Sequence, residues 1–205
     1  MPLLFERHES NYSFAAWRVE ESLEELSLAA GMPLASMPAK AVSRQKESLA
    51  IQLLLGHLFP GKKPTLVYDE NGKPHLENNA HSVSISHTGL AVGVLISSRP
   101  SCGLDMEHIH PRIEKIAGRF LSAGEAHVLE HRNLEALYVA WGAKEVLYKI
   151  HGKGNLVFSE HLHVKPFALA QSGSVTASLQ SGNVTRFFPV EYFFFNDLVI
   201  SFALA

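Results

Sequence analysis

The spacing of apolar and polar positions predicts helices in both halves of the chain. Apolar residues recur at three- and four-residue steps over 17–30, 39–59 and 111–120, and again along a long stretch ending near Gly152. Before that long stretch, Ser122 is followed by Glu125 three residues later, which is the capping-box pattern of a helix start. Gly31 and Pro60-Gly61 mark the ends of the first two predicted helices.

Short runs of strand length follow the helices in each half. Residues 65–68 and 73–76 flank Asn71-Gly72, a dipeptide that favours a hairpin turn. A short first strand is expected within 3–14. Further alternating or continuous apolar runs predict strands at 83–87, 91–96, 102–107, 162–164, 175–178, 190–195 and 198–203.

This order of elements predicts an α+β fold built from two similar lobes. The stretch Ser97–Ser101, which contains Pro100, is the expected seam between them. We therefore expect an N-terminal lobe over 1–98 and a C-terminal lobe over 99–205, related by a pseudo-twofold axis. Each lobe would pack helices on an antiparallel sheet, and the active site would lie in the cleft between the lobes.

Composition narrows the class of protein. Of the 205 residues, 46% are hydrophobic and 19% are charged, which is typical of a globular protein. A net charge of −2 gives no basic field for nucleic acid or for a membrane surface. Cys102 is the only cysteine, which excludes an intramolecular disulfide and a cysteine zinc cage. Because no apolar run reaches membrane-spanning length and no signal-peptide core is present, we expect a cytoplasmic protein. We also expect a monomer.

Three carboxylates are placed to meet at one point. Asp105 and Glu107 lie two residues apart at the end of a predicted strand, so their side chains point to the same face. Glu145 would come to them from the long predicted helix. Three hard oxygen ligands with room for water and phosphate oxygens predict a magnesium site.

The long helix carries an indole, a carboxylate and an ammonium on one stripe. Trp141, Glu145 and Lys149 are spaced at i, i+4 and i+8. For an isolated helix, the simpler interpretation is a packed tryptophan beside a solvated Glu-Lys pair. The acidic strand upstream favours the functional interpretation.

These residues form two signatures that resemble those of the 4′-phosphopantetheinyl transferases. Gly103-Leu104-Asp105-Met106-Glu107 resembles Gly-(Ile/Val)-Asp-x-Glu, and Trp141 to Lys149 resembles Trp/Phe-(Ser/Cys/Thr)-x-Lys-Glu-(Ser/Ala)-x-x-Lys. Three further family features stand in the expected order: Gly72-Lys73-Pro74 before Ser84–His87, Arg119–Ser122 between the signatures, and Gly152-Lys153-Gly154 after them. The resemblance extends from about Arg44 to the C-terminus. It is to the two-lobed, surfactin-synthetase-activating type.

The resemblance implies a reaction and roles for the acidic residues. The phosphopantetheine arm of coenzyme A would pass to a serine hydroxyl of an acyl or peptidyl carrier protein, with adenosine 3′,5′-bisphosphate leaving. Asp105, Glu107 and Glu145 would hold Mg²⁺. Glu145 would also take the serine proton, directly or through a water, and Lys149 would lie against the phosphates.

The resemblance also implies a coenzyme-binding group. Lys73, Ser86 and His87 match family positions that contact the nucleotide and its phosphates, and Arg44 is a looser candidate. Gly142 and Val146 depart from the family pattern, and we interpret both as local packing variants. The role of Lys144, in structure or in phosphate binding, stays open at this point.

A basic stripe offers a surface for the carrier. Arg112, Lys115 and Arg119 recur at i, i+3 and i+7 on one face of the helix that follows the acidic strand. Smaller members of the family meet the carrier with the helix in this place. The alternative is an ordinary solvated face interrupted by Glu114. Carriers of fatty-acid, polyketide and nonribosomal-peptide synthesis all remain open as partners.

Two other functions are compatible with the same residues. Magnesium-dependent nucleases also combine paired carboxylates with a Glu and a Lys, but they need a basic groove that a net charge of −2 does not favour. A carrier-binding module without activity is the non-enzyme alternative. The four intact residues of the two signatures, Asp105, Glu107, Glu145 and Lys149, argue against it.

Overall fold

The computed structural model describes residues 3–36, 41–62, 64–77, 80–129 and 133–205. The first half of the chain holds two helices and six strands. Their bounds are β1 (Leu3–His8), β2 (Tyr12–Arg18), α1 (Leu23–Ala30), α2 (Val42–Leu58), β3 (Leu66–Tyr68), β4 (Pro74–Leu76), β5 (Ser82–Thr88) and β6 (Ala91–Ser97), with a 3₁₀ turn at Leu34–Ser36.

The second half begins with the acidic strand and continues through four helices to a strand-rich end. Its elements are β7 (Cys102–His108), α3 (Arg112–Phe120), α4 (Ala123–Leu129), α5 (Leu134–His151), α6 (Phe158–His161), β8 (Leu162–Val164), β9 (Ser172–Ser181), β10 (Val184–Phe195) and β11 (Leu198–Leu204). The predicted capping box is confirmed. Glu125 N–H donates to Ser122 Oγ and Ser122 N–H donates to Glu125 Oε2.

The strands form two larger antiparallel sheets and one hairpin. One sheet has the order β1-β2-β6-β5 and the other has the order β7-β11-β10-β9-β8, while β3 pairs with β4 across the predicted Asn71-Gly72 turn. The chain leaves the first sheet at Ser97 and enters the second at Cys102. The edges of the two sheets are joined by side chains, because Ser84 and Ser86 on β5 accept the N–H groups of Leu104 and Met106 on β7.

Alternating burial along the strands supplies three apolar clusters. Ala15 and Trp17 of β2 face the helices α1 and α2, whereas Phe14 and Ala16 of the same strand face β7, β10 and β11. The third cluster packs α5 against the five-stranded sheet. The sheets therefore meet face to face and each carries its helices on the outer side, which positions β7 next to α5.

The fold confirms the predicted α+β class with antiparallel sheets. The division into lobes at residue 98 and the pseudo-twofold relation stay predictions. Within the described residues, no helix is both long and apolar enough to cross a membrane.

The first thirty residues confirm one prediction and contradict part of another. The short strand expected within 3–14 is β1, and β2 begins in the same stretch at Tyr12. The helix predicted from Trp17 starts only at Leu23. Trp17 is fully buried in β2, opposite Val92 of β6, so pairing with distant residues overrides the local helical spacing. The helix predicted over 39–59 runs from Val42 to Leu58, and residues 39 and 40 lie outside the described residues.

Candidate active site

The two signatures of the sequence meet where β7 packs against α5. Asp105 is buried in the middle of β7, and Glu107 lies half-buried two residues further on. Lys149 of α5 reaches across to β7. Its Nζ donates to the Leu104 carbonyl at 2.6 Å and to Asp105 Oδ1 at 3.0 Å. Asp105 and Lys149 therefore form a partly buried ion pair between the two signatures.

Glu107 is held by donors from three different elements. Trp141 Nε1 donates to Oε1 at 3.4 Å, while Thr88 Oγ1 and Arg112 Nη2 each donate to Oε2 at 3.4 Å. The Trp141 ring is fixed in turn, since it stacks on Phe158 and meets the edge of Phe120. The signature tryptophan thus orients a carboxylate as well as packing the core.

Burial and the charge of Asp105 raise the pKa of both glutamates of the site. Burial, followed by repulsion from Asp105, raises the pKa of Glu145 to about 7, and the Lys149 ammonium offsets only part of this effect. Burial and then Asp105 also raise the pKa of Glu107, against the donors around it. A divalent cation would relieve this repulsion, and oxygen donors are the ligands that Mg²⁺ prefers. The donor set therefore fits a magnesium ion.

The carboxylates do not yet converge on a single point. In the part of the chain that the structure describes, no three His, Cys, Asp or Glu side chains are arranged as a metal cage. Their present partners explain this arrangement, since Asp105 faces Lys149 and Glu107 faces Trp141, Thr88 and Arg112.

Lys144, the neighbouring lysine on α5, has a structural role. Its side chain is fully buried, and Nζ donates to the Phe120 carbonyl at 2.5 Å, to Glu125 Oε2 at 2.7 Å and to the Phe158 carbonyl at 3.3 Å. Glu125 also accepts the Val164 N–H of the edge strand β8. Lys144 therefore ties α5 to the ends of neighbouring elements and does not face the cavity described next.

A cavity of about 600 Å³ opens beside the Asp105–Lys149 pair. Four of the predicted coenzyme-binding residues line it, and Ser86 does not. The side chains along its wall come from α2, the β3–β4 hairpin, β5 and the end of α5, and they include Arg44, Glu47, Ser48, Tyr68, Asn71, Lys73, His87, Tyr148 and Lys149.

The basic groups of the cavity already have partners. Arg44 Nη1 lies 3.0 Å from His87 Nε2 and 2.9 Å from Glu47 Oε2, so the three side chains form one cluster. Lys73 Nζ donates to the Ile150 carbonyl at 2.9 Å and to Ser101 Oγ at 3.2 Å. Burial lowers the pKa of Lys73. Lys73 thus also ties the hairpin to the last turn of α5.

Ser86 has a different position from the one expected. It is buried, and its hydroxyl accepts the Met106 N–H at 3.0 Å. Three residues of the site were not predicted from the sequence. Thr88 contacts Glu107, and Tyr68 and Tyr148 line the cavity. Tyr148 could have been found from its place beside Lys149, but nothing local marks Thr88 or Tyr68.

The basic stripe of α3 is exposed, as predicted from its spacing. Lys115 and Arg119 face solvent, while Arg112 also reaches Glu107. The buried side of the helix is formed by Ile113 and Phe120. One end of the stripe therefore touches the acidic site.

Comparison with known families bears directly on this geometry. Residues 101–203 match the family model described as the 4′-phosphopantetheinyl transferase superfamily. The chain belongs to this superfamily. The matched residues run from β7 to β11, so they contain the acidic strand, Trp141, Glu145 and Lys149. Arg44, Lys73 and His87 lie outside them, and their assignment depends on the cavity.

Curated relatives agree with the superfamily assignment. The chain is 31% identical over 116 residues to the 4′-phosphopantetheinyl transferase AcpT of Salmonella typhi. It is 29% identical over 116 residues to the proteins of the same name from Escherichia coli O157:H7 and strain K12. The match covers 53% of this chain and 60% of the Salmonella protein. The chain thus spans about three-fifths of the length of that relative.

Proposed function

We propose that the protein transfers the 4′-phosphopantetheine arm of coenzyme A to a serine of an acyl or peptidyl carrier protein. One observation carries this proposal. The Asp105 carboxylate of β7 pairs with the Lys149 ammonium of α5, beside a cavity of about 600 Å³ lined by Arg44, Lys73 and His87. An acidic site next to a basic cavity suits a reaction in which a cation and a polyphosphate meet.

Asp105, Glu107 and Glu145 would hold Mg²⁺. When bound, the ion offsets the negative charge that develops on the phosphates as the diphosphate bond breaks. Lys149 pairs with Asp105 and also lines the cavity, so its ammonium lies between the acidic site and the coenzyme that the cavity would hold. Lys149 would then offset charge on the phosphates from the coenzyme side.

Glu145 is the group that we propose accepts the serine proton. The carrier's serine oxygen forms a bond to the phosphorus that bears the pantetheine arm. The bond from that phosphorus to adenosine 3′,5′-bisphosphate breaks, and the serine proton passes to Glu145 directly or through a water. Burial and then Asp105 raise the pKa of Glu145 to about 7 in the metal-free protein, and a cation shared by the three carboxylates would favour the ionised form that accepts a proton.

The coenzyme would lie along the basic wall of the cavity. Arg44 and His87 already contact each other, and an anionic group of the coenzyme would replace the contact of Arg44 with Glu47. Lys73 would approach from the hairpin. Ser86 would act indirectly, because its hydroxyl accepts the Met106 N–H and so holds β7 in place.

We also propose the two-lobed arrangement, with lobes 1–98 and 99–205, a pseudo-twofold relation and the surfactin-synthetase-activating subtype. The change of sheet between Ser97 and Cys102 supports the boundary. Separate apolar clusters under the helices of each sheet support two similar units. The cavity takes Arg44 and His87 from the first unit and Lys149 from the second, as a cleft site requires.

The carrier would dock on α3. Lys115 and Arg119 are exposed, and Arg112 leads from them to Glu107. Because the net charge is −2, attraction to an acidic carrier depends on such a local patch.

Mass spectrometry of apo-carriers incubated with the protein and coenzyme A tests the function. Carriers of fatty-acid, polyketide and nonribosomal-peptide type are each tried with Mg²⁺ and with a chelator. We expect at least one carrier to gain the mass of the phosphopantetheine arm, only with the metal, and the Asp105→Asn variant to give no product. Unmodified carriers in all three classes, with folded protein and Mg²⁺ present, would overturn the proposal.

A further inference from the structure

Helix α5 touches strand β11 at a position where no side chain fits. A Cβ added at Gly142 would lie 2.6 Å from Ser201 Oγ, 3.1 Å from Ser201 Cβ and 3.5 Å from Asp105 Oδ2. Gly142 is in mid-helix, where glycine is less favourable than alanine. The glycine is therefore explained by this contact and not by its helix propensity.

A second close contact lies one turn further along α5, and here the glycine belongs to the strand and not to the helix. A Cβ at Gly103 of β7 would collide with the Val146 carbonyl of α5. The two contacts lie on either side of Glu145 in the helix sequence. They bring α5 against β7 and β11 closely enough for Lys149 to reach the Leu104 carbonyl.

Ser201 stands directly across from Asp105. The two residues are partners in the antiparallel register of β7 and β11, so their side chains share a face of the sheet and their Cβ atoms are separated by about 5 Å. Ser201 is 1% exposed, and its hydroxyl finds no hydrogen-bond partner among the described residues. A buried hydroxyl without a partner is unfavourable, so a use for it is expected.

We propose that Gly142 and Ser201 form a positioning pair for the cation site. The missing side chain at 142 leaves room for the Ser201 hydroxyl beside Asp105, where it would donate to the Asp105 carboxylate that holds the cation. The inference rests on the proposed function, and it names residues that are not themselves metal ligands. It also gives a structural reason for the departure of Gly142 from the signature.

Ser201→Ala isolates the hydroxyl. We expect the melting temperature to stay the same or rise, because an unpaired polar group is removed, while the affinity for Mn²⁺ as a spectroscopic probe falls about tenfold. The turnover number should fall with it, and the KM for coenzyme A should not change. Ser201→Thr keeps the hydroxyl and should retain more Mn²⁺ affinity than Ser201→Ala. If Ser201→Ala binds Mn²⁺ as tightly as the unmodified protein, the positioning role is overturned.

The double variant tests the pairing. Gly142→Ser should lower both the melting temperature and the Mn²⁺ affinity, because its Cβ collides with Ser201 Oγ. Gly142→Ser combined with Ser201→Ala moves the hydroxyl to the helix and should recover part of both, because the contact with Oγ is removed while the contact with the Cβ at 201 remains. Gly118→Ser is the matched control, since Gly118 is also in a helix and a Cβ there meets nothing within 4 Å. Equal effects of Gly142→Ser and Gly118→Ser would overturn the contact.

The unmodified protein separates this inference from the proposed function. If it binds no Mn²⁺ and modifies no carrier, the proposed function fails, and the metal role of the pair fails with it. In that case the melting temperature of the double variant still tests whether residues 142 and 201 pack against each other. If the unmodified protein is active and Ser201→Ala matches it in Mn²⁺ affinity and turnover, only the inference fails.

Discussion

The Lys149 ammonium lies 3.0 Å from Asp105 Oδ1, although 44 positions separate the two residues in the sequence. This contact joins the last turns of α5 to the middle of β7. It holds a cationic group and a carboxylate on the border between the acidic site and the cavity. Both the proposed metal site and the proposed coenzyme site therefore depend on how closely the helix approaches the sheet.

The acidic residues are the first test of the chemistry. Asp105→Asn and Glu145→Gln should each lower carrier modification by at least a thousandfold, because each removes a charged ligand of the proposed ion, and circular dichroism should show an intact fold. Initial rates measured at saturating Mg²⁺ check this. Glu24→Gln, at an exposed position of α1, is the control and should keep full activity. Full activity of either active-site variant would contradict the assignment.

The raised pKa of Glu145 predicts how stability depends on pH without metal. Its pKa of about 7 lies above the ordinary value of 4.5, so the folded protein binds the proton more tightly than the unfolded chain does. The stabilisation that comes from the protonated Glu145 carboxyl is therefore fully present below about pH 4.5 and is lost as the pH rises to about 7. Allowing for partial exposure of the carboxyl, the loss is roughly 2 kcal/mol, or about 5 °C in melting temperature.

Glu145→Gln should remove this loss. In chelator, the variant should melt about 5 °C above the unmodified protein at pH 8 and at nearly the same temperature at pH 5. Mg²⁺ should stabilise the unmodified protein at pH 8 more than at pH 5.5, because binding requires the ionised carboxylate. Thermal melts across this pH range give both results, and parallel curves for the two proteins would contradict the prediction.

The basic wall of the cavity should control coenzyme affinity. His87→Ala and Arg44→Ala should raise the KM for coenzyme A about tenfold or more and lower the turnover number less, since they contact the end of the coenzyme that does not react. Lys73→Met should raise the same KM and also lower the melting temperature, because Lys73 holds the Ile150 carbonyl. His127→Ala, on the exposed side of α4, is the control. An unchanged KM in all three cavity variants would place the coenzyme elsewhere.

Lys144 should matter for stability and not for coenzyme binding. Lys144→Met leaves the Glu125 carboxylate buried without its cation, at a cost of about 3–5 kcal/mol. This corresponds to a fall of about 10 °C in melting temperature. Adding Glu125→Gln should recover part of the loss, because the remaining group is neutral. Lys153→Met, at an exposed position after α5, should change the melting temperature by less than about 2 °C.

The stripe on α3 should control the rate of carrier modification through charge. Reversing Lys115 and Arg119 to Glu should slow modification steeply at low ionic strength, and the effect should shrink with added salt because exposed charges are screened over about 10 Å at 0.1 M. Coenzyme binding should not change. Reversal of Lys62 and Arg99, which are also exposed, alters the net charge equally and serves as the control. Equal rates for the two double variants would return the stripe to ordinary surface.

The sequence was most informative where a pattern is local. The Ser122–Glu125 capping box, the Asn71-Gly72 hairpin and the strand Cys102–His108 were all predicted, because each depends on residues within a few positions of one another. The same is true of the i, i+2 placement of Asp105 and Glu107. Trp17 shows the limit, since its helical spacing was overridden by pairing with Val92, 75 positions away.

What the sequence by itself determined is the set of chemical groups, their order and the faces of the helices and strands that carry them. The tertiary structure decided which of these groups meet. It buries Lys144 in the core and packs Ser201 against Gly142. It also pairs the Ser86 hydroxyl with the Met106 N–H and the Lys73 ammonium with the Ile150 carbonyl. The physical reason is that the period of an element follows from neighbouring residues. The partner of a buried polar group follows from which distant elements pack together, and local spacing carries no record of that packing.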